Sequence, residues 1–360
     1  MFTPVKLGSI ELKNRLVMAP LTRMRAIADA IPNPLAKIYY SQRAGAGLII
    51  TEATQISPLG MGYPATPGIY SIEQTAAWKE IVEAVHAKGG TIVAQLWHVG
   101  RISHSSLHPE EGLPEAPSAI AAAGQTYGAD WQLHDYETPK AMTSNDIARL
   151  LRDYKLAAQN AKDAGFDGVE IHAANGYLLD QFLQDKTNQR SDEYGGSIEN
   201  RIRILTEVIE SVASIFPTDR IGIRLSPYGS FNDISDSDPV SLFTAVINRL
   251  NNHNLAYVHM IEPRSTSAGG NDQVNEGAPV TSEIFRAAYH GKFISAGGYD
   301  LAMGEAALEA GLADAIAYGR LYISNPDLAE RFKANAPLNP YNRATFYGGA
   351  EVGYTDYSAL

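Results

Sequence analysis

The fold is decided by a short segment in the middle of the chain, G-V-E-I-H-A-A-N-G-Y at residues 168–177. Apolar residues occupy every second position from Val169, which predicts a β-strand. The dipeptide Asn175-Gly176 then predicts a turn. The segment therefore indicates a strand that ends in a polar loop.

Three side chains that can form hydrogen bonds lie close together in the sequence at this strand end: His172, Asn175 and Tyr177. Side chains three residues apart on a strand point to opposite faces, so His172 and Asn175 converge only if the chain leaves the strand between them. Gly176 permits that departure. Two hydrogen-bond donors and a phenol would suit a carbonyl substrate. Taken alone, the segment is more typical of a polar strand end with a turn than of a catalytic site.

The pattern of this segment recurs along the whole chain. Short apolar strands alternate with helical spacing, and continuously apolar strands are typical of parallel sheets buried on both faces. Eight β/α units predict a TIM barrel, with a hairpin at residues 6–13 closing its bottom; a doubly wound sheet is the alternative. The predicted strands are 16–19, 47–52, 91–97, 168–174, 221–225, 257–261, 293–296 and 315–318. The predicted helices are 35–45, 74–88, 144–164, 197–216, 239–250, 282–289, 301–310 and 325–334.

One long region interrupts the alternation. Between residues 99 and 142 the periodicity fails, and prolines and glycines punctuate the chain. A long irregular loop inside a compact domain is usually functional. We therefore expect a single domain, residues 1–360, with 99–142 as an inserted capping region.

The composition excludes several classes of protein. The chain has 360 residues, a formal net charge of −11 and no cysteine. Without cysteine there is no disulfide, thiolate zinc site or cysteine-ligated iron–sulfur cluster. An acidic chain lacks the basic surface expected of a nucleic-acid binder. The N-terminus has no apolar signal segment, and the uncharged run at 53–72 is broken by prolines and glycines, so we expect a cytoplasmic protein without a membrane segment.

Polar residues and glycines follow the predicted strands, where a barrel carries its function. The loops after strands seven and eight, which form the common phosphate site of such barrels, contain Gly297-Gly298 and Gly319-Arg320. Glycines let backbone N–H groups approach a phosphate, and Arg320 could clamp it. The sequence therefore favours a phosphate site, although the glycines could also serve only as tight turns.

A metal site is not expected. His98, His104 and His108 cluster in the sequence, but their spacing matches no standard zinc motif.

Several long motifs resemble the old yellow enzyme family of FMN-dependent ene-reductases, in the branch that includes N-ethylmaleimide reductase and pentaerythritol tetranitrate reductase. The resemblance covers nearly the whole chain. It rests on N-R-L-V-M-A-P-L-T-R at 14–23, E-A-T-Q-I at 52–56, Q-L-W-H-V-G-R-I-S-H at 95–104, N-Q-R-S-D-E-Y-G-G-S-I-E-N-R at 188–201 and F-Y-G-G-A-E-V-G-Y-T-D-Y at 346–357.

The resemblance implies a tightly but non-covalently bound FMN, with NADPH or NADH as co-substrate. Its phosphate would lie on Gly297, Gly298 and Gly319, with Arg320 as counter-charge. Arg224 and Gln95 would meet the pyrimidine end of the flavin. The remaining implied flavin contacts are Thr22, which would tune its potential, and Pro20, Leu21 and Ala53.

The resemblance also implies roles for the segment at 168–177. His172 and Asn175 would bind the carbonyl or nitro oxygen of an activated alkene, and Tyr177 would protonate the α-carbon after hydride reaches the β-carbon. Some family members carry His at the position of Asn175, and both residues donate. The implied walls of the substrate cavity are Tyr63, Trp97, Phe231 and Tyr347.

Alternatives remain at this stage. The same site could reduce nitrate esters or nitroaromatics. A phosphosugar lyase or aldolase barrel would need a Schiff-base lysine or a metal site, and neither is found at a predicted strand end. A non-catalytic phosphate-binding barrel is the third possibility. We expect a small-molecule substrate and a monomer or homodimer.

Overall fold

The fold is taken from a computed structural model that describes residues 1–108, 110, 112–265 and 272–360. Eight parallel strands, each paired with the next, close into a barrel because the last pairs with the first. The predicted TIM barrel is therefore confirmed, and the doubly wound alternative is wrong. The barrel strands, in order around it, are β3 (Leu16–Met18), β4 (Leu48–Ile50), β6 (Ile92–Trp97), β11 (Gly168–His172), β12 (Ile221–Leu225), β13 (Tyr257–Ile261), β14 (Phe293–Ala296) and β15 (Ala315–Tyr318).

Helices surround the barrel and pack on the outward side chains of the strands. Polar caps fix where the two longest of the early helices begin: Ser71 and Gln74 form a capping box, as do Thr143 and Asp146. The helices are α1 (Leu35–Gln42), α2 (Ile72–His86), α3 (Ser144–Asp163), α4 (Leu178–Leu183), α5 (Ile198–Ala213), α6 (Pro239–Leu250), α7 (Thr281–Phe285), α8 (Leu301–Glu309), α9 (Arg320–Ser324) and α10 (Leu328–Ala334).

Successive side chains of each barrel strand point alternately outward and inward, and they form two separate apolar cores. Outward residues such as Ile171 join the large core under the helices, whereas inward residues such as Val93 and Ile294 fill the barrel. The predicted hairpin is present as β1 (Val5–Leu7) and β2 (Ile10–Leu12), and its Leu7, with other hairpin residues, belongs to the inner core. The bottom of the barrel is therefore closed, so ligands enter from the other end.

The inserted region carries short strands that the sequence did not predict. They are β7 (Glu115–Ala116), β8 (Gln125–Tyr127), β9 (Leu133–Asp135) and β10 (Lys140–Ala141), and a further short strand, β5 (Thr54–Gln55), pairs with β6. β8 and β9 form an antiparallel hairpin, while β7 pairs with β10. Two- and three-residue strands are too short to give a readable period.

Two helix boundaries differ from the sequence prediction for identifiable reasons. The last helix begins at Leu328 and not at 325, because Asn325 precedes a proline and takes an extended ψ of 86°. The predicted helix at 282–289 is α7 followed by a separate 3₁₀ turn, Arg286–Ala288. Within the parts of the chain that are described, no helix has the length and apolarity needed to cross a membrane.

Candidate active site

A cavity of about 790 Å³ opens at the carboxyl ends of the barrel strands. Its volume lies in the range of small-molecule and cofactor sites. All the residues for which the sequence suggests a cofactor or substrate contact line this one cavity: Pro20, Leu21, Thr22, Ala53, Tyr63, Gln95, Trp97, His172, Asn175, Tyr177, Arg224, Phe231, Gly297, Gly298, Gly319, Arg320 and Tyr347.

Glycines after β14 and β15 form a cradle at one side of the cavity. Gly297 and Gly298 both have positive φ, 113° and 67°. A Cβ on Gly297 would lie 2.7 Å from the carbonyl oxygen of Glu262, so close packing requires glycine there. Among the described residues, the nearest atoms to a Cβ at Gly298 and Gly319 would be 3.8 and 3.4 Å away, so these residues leave both backbones open to a ligand.

Arg320 stands beside this cradle but already has an anionic partner. Its Nε lies 3.3 Å from Oδ1 of Asp272, and the same oxygen accepts a hydrogen bond from the Tyr341 hydroxyl at 2.5 Å. Arg343 approaches this carboxylate as well, at 2.5 Å. The sequence reasoning missed Asp272, Tyr341 and Arg343, because only the fold brings these loops to Arg320.

Two polar side chains, Gln95 and Arg224, face the cavity from inside the barrel. The Nε2 atom of Gln95 donates to Oε1 of Glu170 at 2.7 Å. The buried Nε atom of Arg224 has no hydrogen-bond partner among the described residues. Burial lowers the pKa of Arg224, and the nearby Glu170 carboxylate opposes that shift. An unpaired guanidinium N–H in this position can serve a ligand.

His172 is a neutral hydrogen-bond donor at the end of β11. Its side chain is buried, and its Nδ1 accepts a hydrogen bond from the backbone N–H of Ala174 at 3.3 Å. This contact places the proton on Nε2. Burial, with the charge of Arg224, holds the pKa of His172 well below its usual value. The imidazole therefore stays neutral at physiological pH and keeps one N–H to donate.

The loop after β11 turns as the sequence suggested, with one addition. Gly176 has a φ of 74°, but Asn175 itself is also left-handed, with a φ of 58°. The backbone N–H of Asn175 donates to the Ser226 hydroxyl at 2.7 Å, and that of Gly176 donates to Asp180 at 2.9 Å. Asparagine tolerates this conformation better than most residues. The two turns bring Asn175 into the same cavity as His172.

Tyr177 is a buried phenol within this group of side chains. Its hydroxyl lies 3.2 Å from the Tyr63 hydroxyl, and its ring meets the edges of Trp97 and His172 at centroid distances of 5.0 and 5.1 Å. Burial raises the pKa of Tyr177 above its ordinary value. The phenol is therefore protonated throughout the neutral range.

Aromatic rings form the remaining walls of the cavity. Tyr63 stacks on the buried Trp97, with ring centroids 6.0 Å apart and an interplanar angle of 17°. Tyr347 is 48% exposed at the cavity mouth and packs edge-on against Phe346. The cavity also includes Tyr127 of the inserted region, in β8, a residue that the sequence reasoning did not single out.

Two buried arginines, Arg23 and Arg25, hold the C-terminal segment that carries Tyr347. Arg23 donates to the carbonyl oxygens of Phe346 at 2.9 Å and Gly353 at 2.7 Å, and Arg25 donates to that of Thr345 at 2.9 Å. The only local sequence signal was a pair of arginines four and six residues after the predicted strand at 16–19. The contacts join residues more than 300 positions apart, which no local pattern reveals.

Glu52 is a buried carboxylate behind these arginines. It accepts hydrogen bonds from the backbone N–H of Arg23 at 3.2 Å and from the Tyr40 hydroxyl at 3.3 Å. Burial raises the pKa of Glu52 to about 7, against the opposing effect of the Arg23 contacts. The folded protein therefore retains a proton here over a range in which an unfolded glutamate would lose it.

We expect this proton to give Glu52 a measurable effect on stability. Because the pKa is higher in the folded chain, the folded state binds more protons between pH 4.5 and about 7. Stability then decreases as pH rises through this window, by up to about 3 kcal/mol at roughly 1.4 kcal/mol per pH unit. Denaturant unfolding of the parent and of Glu52→Gln should give a free-energy difference that changes with pH in this window. A constant difference would contradict the assignment.

The three clustered histidines have separate partners, and His108 lies 3.2 Å from the Ser103 hydroxyl. Nδ1 of His98 accepts the backbone N–H of Gly100 at 3.1 Å, while His104 stacks on His134 with centroids 4.6 Å apart. Among the described residues, no group of three or more His, Cys, Asp or Glu side chains is arranged to hold a metal ion.

A closed β/α barrel with a glycine cradle and neutral donors around one cavity is typical of a cofactor-dependent barrel enzyme. The model of the NADH:flavin oxidoreductase / NADH oxidase family matches residues 1–339. The chain is 47% identical over 363 residues to 12-oxophytodienoate reductase 1 of Oryza sativa subsp. japonica, covering 100% of this chain and 93% of the relative.

Solved structures agree with these sequence relatives. Morphinone reductase is 49% identical, with a TM-score of 0.93 and coverage of 100% of this chain and 96% of the other. The old yellow enzyme homologue from Zymomonas mobilis is 43% identical, with a TM-score of 0.94 and coverage of 100% and 99%. A structure of morphinone reductase in complex with tetrahydroNAD gives a TM-score of 0.92.

The chain belongs to the NADH:flavin oxidoreductase / NADH oxidase family, as its old yellow enzyme motifs predicted. It is an FMN-dependent oxidoreductase with a nicotinamide co-substrate, of the class that reduces activated C=C bonds. The cavity fits FMN on independent grounds. It presents a buried arginine N–H without a protein partner among the described residues and glycine backbones that a Cβ would cover.

Proposed function

We propose that this chain reduces the C=C bond of α,β-unsaturated carbonyl or nitro compounds at the expense of NAD(P)H, and that His172, Asn175 and Tyr177 contact the substrate. The convergence of these three side chains in the same cavity as the glycine cradle supports the proposal most strongly. They are the donors that such a substrate needs, at the end of one barrel strand.

The three glycines of the cradle and Arg320 beside them would hold the cofactor phosphate. The backbones of Gly297, Gly298 and Gly319 approach it, and Arg320 supplies positive charge. The Asp272 carboxylate that pairs with Arg320 moderates this charge. The phosphate therefore meets an arginine whose field is partly offset.

The flavin ring is held at its polar edge and along its faces. Gln95 offers one acceptor and a remaining N–H to the imide edge, and Arg224 places a fixed positive charge at the same end. Thr22 donates to a flavin carbonyl. Pro20, Leu21 and Ala53 pack against the ring or contact it through their backbones. When bound, FMN supplies the hydride that is taken from the nicotinamide and delivered to the β-carbon of the alkene.

His172 and Asn175 donate hydrogen bonds to the substrate oxygen. Because His172 is neutral and fixed by its Nδ1 contact, its Nε2–H needs no reorganisation when negative charge develops on that oxygen. Tyr177 gives its proton to the α-carbon. Tyr63, Trp97, Phe231 and Tyr347 exclude water and shape the space around the alkene.

The direct test is spectroscopic. The purified protein should carry bound flavin or take up added FMN. Anaerobic NADPH or NADH should bleach the flavin absorbance, and cyclohexenone should then restore it. A colourless protein that FMN cannot reconstitute would contradict the proposal, and so would bleaching that cyclohexenone does not reverse.

We expect Gly298→Ala to weaken FMN binding at least tenfold. Gly89→Ala is a matched control, because Gly89 has nearly the same φ, 68° against 67°, and no atom of the described residues lies within 4 Å of its added Cβ. Both variants carry the strain of alanine in a left-handed conformation, roughly 1–2 kcal/mol. Only the methyl at Gly298 would stand in the phosphate cradle. Titration of each apoprotein with FMN, followed by fluorescence quenching, measures the difference; equal affinities would argue against a phosphate site at Gly298.

We also propose that residues 1–360 form one FMN-binding domain, with 99–142 as its capping region. The hairpin of β8 and β9 supports this, since its Tyr127 lines the cavity. A monomer or homodimer in the cytoplasm remains our expectation.

A further inference from the structure

An ionic network lies inside the barrel below Gln95 and Arg224, centred on Glu170. This carboxylate is fully buried in the middle of β11. One of its oxygens accepts a hydrogen bond from Nε2 of Gln95 at 2.7 Å, and the other lies 2.9 Å from Nδ1 of His259 on β13. Glu170 thus connects a proposed flavin ligand to a strand two places away.

Gly222 of the intervening strand β12 makes this connection possible. It lies opposite Glu170 on one side and Tyr257 on the other. A Cβ on Gly222 would fall 2.2 Å from the Tyr257 ring, so that ring occupies the space of the missing side chain. The arrangement lets groups of β13 reach across β12 to the carboxylate. A charged residue placed in the barrel core with such complementary packing is unusual, because burying a charge is costly.

The network contains one anion, the Glu170 carboxylate, and one nearby cation, the Arg224 guanidinium. Burial alone would raise the pKa of Glu170, but His259, Arg224 and Gln95 outweigh it and the pKa is lowered, so the carboxylate is ionised. Burial lowers the pKa of His259, which keeps that imidazole neutral with its Nδ1 proton donated to Glu170. The negative charge of Glu170 therefore offsets the positive charge of Arg224.

We propose that Glu170 is a positioning residue that holds the reduction potential of the bound flavin down. This inference rests on the proposed placement of the flavin pyrimidine end at Gln95 and Arg224. Reduction adds negative charge at that end, which Arg224 favours and the Glu170 carboxylate disfavours. By fixing one N–H of Gln95, Glu170 also orients the amide that meets the imide edge.

The test is the midpoint potential of the FMN-loaded Glu170→Gln variant, measured by equilibration with a reference dye. We expect the affinity for reduced FMN relative to oxidised FMN to rise at least tenfold, which is about 30 mV for a two-electron couple. Glu262→Gln is the matched control. It is also a buried glutamate of the barrel end, but its carboxylate is held by Thr281, Ser282 and Ser295. Glu262→Gln should change the affinity for reduced FMN relative to oxidised FMN threefold or less.

A second readout separates this role from a merely structural one. In Glu170→Gln, the new amide can accept from Gln95 through its oxygen and donate to Nδ1 of His259 through its NH₂ group. This requires the His259 proton to move from Nδ1 to Nε2, an atom that has no partner among the described residues. Nitrogen NMR of His259 should report that change of tautomer in the variant. The altered tautomer together with an unchanged potential would overturn the inference while leaving the proposed function intact.

A second variant covers a failure of the first to fold. Glu170→Met removes the charge with an apolar side chain of similar length, a kind of replacement that buried ionic sites often tolerate. It should raise the relative affinity for reduced FMN in the same direction; no change, or a change of opposite sign, would overturn the inference. If the parent chain binds no FMN, the proposed function and this inference fall together.

Discussion

Replacing Tyr177 by phenylalanine is expected to slow alkene reduction by roughly 10²–10⁴-fold, the usual contribution of a general acid. Reduction of the flavin by NADPH or NADH should be nearly unaffected, because that half-reaction needs no proton from this phenol. The substitution removes one hydroxyl and keeps the ring, so the edge contacts with Trp97 and His172 persist. Stopped-flow measurement of the two half-reactions separates the effects.

A matched control is available elsewhere in the barrel. The hydroxyl of Tyr154 in α3 is also buried and has no hydrogen-bond partner among the described residues. Tyr154→Phe should leave both half-reactions unchanged. Equal losses in the two half-reactions of Tyr177→Phe would remove this residue from the role of proton donor.

The pH profile offers a further check on Tyr177. Because burial raises its pKa, the phenol keeps its proton well above neutral pH. Alkene reduction should therefore show no decline from loss of this proton between pH 7 and about 9, the range below the ordinary tyrosine pKa near 10. A decline centred near pH 8 that disappears in Tyr177→Phe would contradict the burial of the phenol.

The barrel could be predicted from the sequence because its signals are local. Each strand is a short apolar run, and glycines or caps mark the helix ends, as at Thr143. Even the hairpin below the barrel follows from alternation around Gly8. By contrast, α4 and α9, of 6 and 5 residues, are too short to show a helical period.

The candidate site was predictable only in part, because only some of its residues give a local signal in the sequence. Strand ends are readable, so residues such as His172, Gly297 and Arg320 could be named from them, whereas the cavity walls Tyr63, Phe231 and Tyr347 came only from the family resemblance. Glu170 was visible as a charge in an apolar strand, but its partner His259 is 89 positions away. The pairing of Arg320 with Asp272 likewise depends on how loops meet in space. Such contacts leave no trace in local spacing.

Replacing Arg23 by methionine is expected to destabilise the protein by about 3–5 kcal/mol, the range for removing one partner of a buried charged contact. Arg23 is fully buried, and its guanidinium lies 5.2 and 5.1 Å from the ring centroids of Tyr39 and Tyr354. Without it, the carbonyl oxygen of Gly353 loses its donor, that of Phe346 keeps only Arg25, and Glu52 loses a nearby positive charge. Denaturant unfolding monitored by circular dichroism measures the loss.

The same substitution should also affect substrate binding in the cavity, because Arg23 anchors the segment that carries Tyr347. Loosening this wall should raise KM for the alkene more than it lowers kcat, since Tyr347 shapes the space and makes no proton transfer. Arg203→Met is the matched control: its Nε donates to the backbone of Glu193 near the surface, so it should cost only about 0.5 kcal/mol and leave KM unchanged. If Arg23→Met loses no more free energy of unfolding than Arg203→Met, the C-terminal segment does not depend on Arg23. If it is destabilised but KM is unchanged, Tyr347 is held in place by its own packing against Phe346.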